Sequence, residues 1–287
     1  MPGIDNLKDQ PLWSESVYLD CVSPDGQAAF VVRLCRYPSA GTGWLWGHVF
    51  LHGRVYAYTD HYLPCSASVT PVESADVRYD LGERSPVAME RSGPREAPRV
   101  ATVRVRFQAH AEAHPGHGPG EHHVVLGASF HPLSASGTSV PGRIELLGRV
   151  SAVVSVDDNE TEITGFGQWH EQHQEQPRFL RPFTYTTLRG ERLSFVATRG
   201  PLRAVGYARR GDEIVAIAGY EVGPPAPVRE LRLELADGSV FAGEARATYT
   251  YSVPVYDMRR PGSVVVAALD GEQLSGCIND LVMPQGG

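Results

Sequence analysis

The sequence predicts an all-β chain of two antiparallel β-barrels in tandem, with little helix. Three observations carry this. Short runs rich in Val, Tyr, Phe, Trp and Thr recur along the whole chain. Turn sequences separate them, such as SPDG at 23–26, RGER at 189–192 and RRGDE at 209–213. No segment sustains a helical period with capping signals; residues 83–92 come nearest.

Taken in order, strands are expected at 17–22 and 28–37, then at 44–51 and 55–62, which read as a hairpin around His52, Gly53 and Arg54. Trp44, Trp46 and His48 share one face of the first of these by the period-two rule, and Tyr56, Tyr58 and Asp60 share one face of the second. Such aromatic rows are either ordinary cross-strand pairs or the lining of a barrel. Further strands are expected at 75–79, 100–109, 124–130, 143–156 and 162–168. Between them lie a charged, Pro-rich stretch at 82–98 and a segment at 110–123 that holds five histidines. The histidines invite a metal reading, but Gly and Pro make a mobile surface loop the better expectation. After Pro177 the expected strands are 181–188, 193–198, 204–208, 213–220, 228–235, 240–253, 263–269 and 274–282. Roughly nine or ten strands precede residue 176 and about eight follow it, and about eight suffice to close a barrel around side chains or one small ligand. The expected division is therefore 1–176 and 177–287.

The chain has 287 residues, 42% hydrophobic and 21% charged, enough for a substantial core. A net charge of -7 argues against nucleic acid as a partner. The first residues lack a basic and apolar leader and no stretch is long enough to insert stably in a membrane, so a cytoplasmic protein is expected. Four widely spaced cysteines, Cys21, Cys35, Cys65 and Cys277, read as buried free thiols. No phosphate loop, dinucleotide fingerprint or Gly-x-Ser-x-Gly elbow occurs.

The chemistry is concentrated in GFGQWHEQHQEQPRFLRPFTY, residues 165–185. So polar a run is usually a loop. As a strand it would place Gln168, His170, Gln172 and Gln174 on one face, and Trp169, Glu171 and His173 on the other. His170 and His173 are three apart, which fits neither one strand face nor the i, i+4 pair of a helical zinc site, so no metal is expected there. Glu171, walled by Trp169 and Phe166, is a candidate proton donor. The competing account is a satisfied polar network that ties the two barrels together.

Residues 15–64 carry Glu15-Ser16-Val17-Tyr18, the Asp25-Gly26 turn and Arg33; residues 148–179 carry Gly165-Phe166-Gly167 followed by an aromatic, histidine and acid-rich motif. These two stretches resemble the lipocalin-like AttH superfamily, which includes carotenoid hydratases and is related to tocopherol cyclases and decalin-forming Diels–Alderases. The resemblance implies two lipocalin-like barrels, an apolar, often polyene or terpenoid, substrate, and cyclisation or hydration of a double bond with no cofactor. The first expectation is therefore a cofactor-independent cyclase, isomerase or hydratase, or a pericyclic variant, acting on an apolar natural-product intermediate such as a polyketide or terpenoid. On that reading Glu171 or His170 is the acid/base and His173 helps to orient the substrate. Trp44, Trp46, Tyr58, Asp60, Gln168, Trp169, Gln174, Phe183 and Tyr185 bind substrate. A non-catalytic carrier of an apolar molecule is the alternative, and a metalloenzyme using His170, His173 and Asp60 the third.

Overall fold

The computed structural model describes residues 13–71, 73–133, 137, 142–175, 181–256 and 258–282. Among them the chain forms strands throughout, one 3-10 turn at Pro38–Ala40 and no α-helix. The first sheet holds β1 (Ser14–Val22), β2 (Ala29–Tyr37), β3 (Thr42–Leu51), β4 (Arg54–Pro64), β5 (Asp76–Asp80), β6 (Val87–Ser92), β7 (Val100–Ala109), β8 (His122–Pro132), β9 (Arg143–Val156) and β10 (Asn159–Gln174). Their order is β4-β3-β2-β1-β10-β9-β8-β7-β6-β5, antiparallel throughout. The second set closes into a barrel: β11 (Phe183–Arg189), β12 (Leu193–Arg199), β13 (Ala204–Arg210), β14 (Glu213–Val222), β15 (Val228–Leu235), β16 (Val240–Val255), β17 (Met258–Leu269) and β18 (Glu272–Leu281), with β18 paired back to β11.

The two-barrel, all-β expectation therefore holds, with one refinement. The first sheet is curled rather than ring-closed, its edges β4 and β5 drawn together by hydrogen bonds around them. Ala57 and His110 exchange backbone hydrogen bonds of 2.9 Å, and Ser66 N–H donates to Leu81 O at 3.0 Å. β10 ends at Gln174 and β11 begins at Phe183; the expected boundary at Gln176 lies outside the described residues.

Each strand's burial follows from its sequence. β7 alternates, with Ala101, Val103, Val105 and Phe107 inside and Arg104 and Arg106 in solvent. β1 and β2 are instead buried on every residue. One face fills the first barrel and the other packs against the second, so even their polar residues, Glu15, Asp20, Arg33 and Arg36, are buried. The β3–β4 hairpin turns through His52 and Gly53, both left-handed at φ 52° and 74°, the pair of positive angles a two-residue type I′ turn needs.

Three readings change. The stretch at 82–98, read as irregular, contains β6, with Val87, Met89 and Arg91 buried. The polar run, left open between loop and strand, is strand: 165–174 belong to β10. The histidine-rich segment is not a free surface loop but a strap across the second barrel. Ser252 N–H donates to Ala113 O at 2.8 Å, and Arg259 donates to His114 O at 3.2 Å.

A bulge in β16 builds the junction. Ala245 and Ala247 point into the second barrel. The register slips between Ala247 and Tyr249, and one extra residue exchanges the faces of a strand. Tyr249, Tyr251, Val253 and Val255 thus turn outward, onto Val31, Trp46 and Phe50 of the first sheet. Thr248, in the bulge, donates to Gly26 O at 2.8 Å, and Tyr249 OH donates to Gln27 O at 2.6 Å. Arg189 and Asp20 form a fully buried ion pair across the same seam.

Candidate functional site

A cavity of about 270 Å³ opens along that seam. One wall is the outward face of the first sheet, with Tyr18, Arg33, Trp46, His48 and His170. Arg143, Gln172 and Gln174 lie beside it. The facing wall comes from the second barrel, with Phe183, Tyr185, Tyr251, Arg260 and Asn279. The site is thus a groove between two filled barrels, not a barrel interior.

Strand alternation in β10 decides which polar residues reach it. His170, Gln172 and Gln174 line the cavity, while Gln168 lies in the same row and donates from Nε2 to Tyr185 OH at 2.7 Å. The His170 ring stacks on Tyr18, centroids 4.8 Å apart and planes at 8°. Tyr18 OH donates to Asp20 at 3.0 Å; burial first, then Asp20, raises its pKa well above the ordinary phenol value. Tyr185 OH donates to Glu145 at 2.8 Å, and its pKa too is raised well above the usual range by burial and by Glu145. Both phenols hold their protons. Arg143 pairs with Glu145 at 3.0 Å and donates to Gln172 at 2.9 Å.

Trp169, Glu171 and His173 project to the opposite side, into the first barrel. Glu171 is fully buried and surrounded by donors: Arg91 at 2.7 Å, Tyr79 OH at 2.8 Å, Trp169 Nε1 at 3.0 Å and Arg95 at 3.7 Å. Such a carboxylate is an acceptor in a satisfied network. His173 sits beside Arg95 at 3.4 Å, with the Tyr79 ring 6.0 Å away. The structure thus separates Glu171 and His173 from His170.

The other expected site residues divide similarly. Trp46, Phe183 and Tyr185 line the cavity. Trp44 lies deeper in the seam, stacked on His61 at 4.2 Å. Tyr58 packs on Phe107 inside the first barrel and donates to Asp60 at 3.2 Å, so neither Tyr58 nor Asp60 borders the cavity. Among the described residues, no three His, Cys, Asp or Glu side chains group as a metal site.

The sequence reading missed Tyr18, Arg33, His48, Arg143, Tyr251 and Arg260 as site residues. Arg33 and His48 had a readable signal, His48 the ionisable side chain of an apolar strand and Arg33 one of two arginines set among apolar residues. Tyr251 and Arg260 had none, because only the β16 bulge and the barrel contact aim them here.

A family model described as a domain of unknown function, DUF7064, matches residues 5–268. The chain belongs to this family. No curated protein matches it in sequence. Its fold is similar to that of CghA, solved with Sch210972, with a TM-score of 0.67 at 13% identity over 96% of this chain and 90% of that one. Kievitone hydratase from Nectria haematococca is similar with a TM-score of 0.57 at 9% identity, over 96% and 91%. An AttH-like protein from Nitrosomonas europaea gives 0.52 at 12%, over 95% and 93%. The DUF7064 chain thus has the lipocalin-like AttH fold that its two motif-bearing stretches implied. No helix among the described residues is long and apolar enough to cross a membrane.

Proposed function

We propose that the chain is an enzyme that folds an apolar, carbonyl-bearing small molecule into the seam between its barrels. There it would cyclise or hydrate a carbon–carbon double bond without a bound cofactor. The observation that carries this is the cavity itself, a pocket with aromatic walls and His170 stacked on a proton-holding Tyr18. Its two walls come from separate barrels, the kind of location where ligand sites concentrate. The fold neighbours support the reading, since one is the Diels–Alderase CghA and another is a hydratase.

Charge narrows the chemistry. Arg33, Arg143 and Arg260 line the cavity, and among the described residues no Asp or Glu does. The Arg33 guanidinium lies over the Trp46 ring at 4.3 Å, and that of Arg143 over Tyr185 at 5.4 Å. Two of the ring faces that could stabilise a carbocation, those of Trp46 and Tyr185, are thus already occupied by cations. A cationic terpenoid-type cyclisation is therefore disfavoured. The same donors suit a reaction in which electron density grows on a carbonyl oxygen, as in a carbonyl-activated cycloaddition or the addition of water to a conjugated alkene. Holding one reactive conformer supplies much of the acceleration in the first case. In the second, His170 would carry the proton.

Incubating purified protein with candidate polyenes and enones, followed by mass spectrometry, tests this reading. Cyclisation gives a product of unchanged mass and a new retention time; hydration adds the mass of one water. A compound that co-purifies but is never converted would support a carrier and overturn the enzyme.

A further inference from the structure

Among the described residues, His48 is a fully buried cavity residue with its side chain left unused. It lines the cavity and is 0% exposed, yet neither ring nitrogen has a hydrogen-bond partner. Buried polar atoms are seldom left so, because each unmade hydrogen bond costs free energy. Its neighbours are rings, with Tyr251 at 5.0 Å and Phe50 at 6.3 Å. Burial and the Arg260 charge push its pKa down to about 3, so near neutrality it is an uncharged imidazole with one N–H to give.

Arg260 enters from the other barrel. It lines the same cavity, is half-buried, and has no salt-bridge partner among the described residues. This sets it apart from Arg143, whose charge Glu145 answers, and from buried Arg36, Arg189 and Arg229, each paired with a carboxylate. The chain carries a net charge of -7, so an unanswered guanidinium facing a cavity with no carboxylate among its described lining residues is a local exception. Both features, the unanswered charge and the orphaned donor, call for an anionic oxygen in the cavity.

Building on the proposed function, we infer that His48 and Arg260 form a two-barrel clamp for a delocalised oxyanion, a carboxylate or phenolate, on the apolar substrate. Arg260 supplies charge and His48 a directed N–H, while Trp46, Tyr251 and Val253 hold the apolar body. Charge-assisted hydrogen bonds are roughly twice as strong as neutral ones, so the anion fixes which end of the substrate enters first.

The test is calorimetric titration of the full chain with two near-isosteric probes, 2-naphthoate and 2-naphthamide. The expected result is that the anion binds tighter by about tenfold or more, and that Arg260→Gln reduces it to the level of the amide. Arg260→Lys retains part of the preference, because Lys keeps the charge but loses the fork of donors. If Arg260→Gln lacks the native melting transition, His48→Phe, which keeps a ring in place, carries the same test. A second pair, 4-nitrophenolate and 4-nitroanisole, separates sources. Preference in both pairs assigns any delocalised oxyanion, and preference in the first alone assigns a carboxylate. Equal binding of naphthoate and naphthamide, or a preference undiminished in Arg260→Gln, overturns the clamp and leaves the cavity as the substrate site. Failure of both naphthalene probes to bind overturns the clamp and the cavity reading together.

Discussion

The His170 ring lies on the Tyr18 ring, with centroids 4.8 Å apart and planes only 8° from parallel. The stack links β10 to β1, neighbours in the same sheet, where the two residues are directly paired. A flat ring held in this way presents its edge to the cavity in a fixed orientation, as a proton carrier requires. His170→Phe preserves the stack and removes the proton. Turnover of a hydrated substrate should fall by about a hundredfold to ten-thousandfold with KM little changed. An unaltered kcat would assign the rate to shape alone, as a pericyclic step requires.

Glu171 gives the opposite expectation. Its network with Arg91, Tyr79 and Trp169 lies within the first barrel. Glu171→Gln leaves the fully buried Arg91 without its counter-ion, which typically costs about 3–5 kcal/mol. Urea unfolding should show the midpoint fall, while the folded fraction binds cavity ligands as before. Replacing both partners, Arg91→Met with Glu171→Met, should recover most of the loss. A Glu171→Gln protein as stable as the parent would contradict this account.

How legible was all this? The alternation of β10 could be read from the chain, because period two holds wherever one strand separates two packed faces. Placing His170 with Gln172 and Gln174, and Trp169 with Glu171, needed no more. Which of the two faces meets substrate could not be read. Trp169 and Glu171 look like a site, an acid against an aromatic wall, but the arginines that satisfy the acid come from 82–98. That stretch hid β6, since a strand whose buried face includes Arg91 has no apolar alternation to detect. The second wall depends on the β16 bulge, and YTYSVPV carries no mark of a slipped register.

The bulge can be tested directly. Inserting one alanine between Val264 and Val265 of β17, opposite the bulge, should give Thr248 a ladder partner, return Tyr249, Tyr251 and Val253 to the barrel side of β16 and strip the seam of its aromatic wall. Small-angle scattering should then report a larger radius of gyration, with the two halves scattering as separate bodies. A compact particle that still binds cavity ligands would show that the seam does not depend on the slip.

His48 also predicts a pH dependence. Burial and Arg260 lower its pKa to about 3, below the ordinary 6.5. The folded protein therefore keeps His48 neutral where the unfolded chain binds a proton. Stability from this group is complete above about pH 6.5 and is lost as the pH falls toward 3. Between pH 7 and pH 5 the loss is about 2 kcal/mol. Urea unfolding at both pH values should show it, and His48→Phe should shrink the difference by about that amount. His61, depressed by burial beneath His117, adds a slope of the same sign.

Because the cavity walls are the outer surfaces of two barrels, the side chains that line the cavity are not those that fill either interior. Leu19, Val103 and Phe130 hold one half together, and Phe195, Leu233 and Ile278 the other, all out of the ligand's reach. A lineage could exchange Val31, Tyr251 or Val253 without opening a void in either barrel core. Such a protein would acquire new substrates at low cost in folding, with the same pair of barrels serving different small molecules in different descendants.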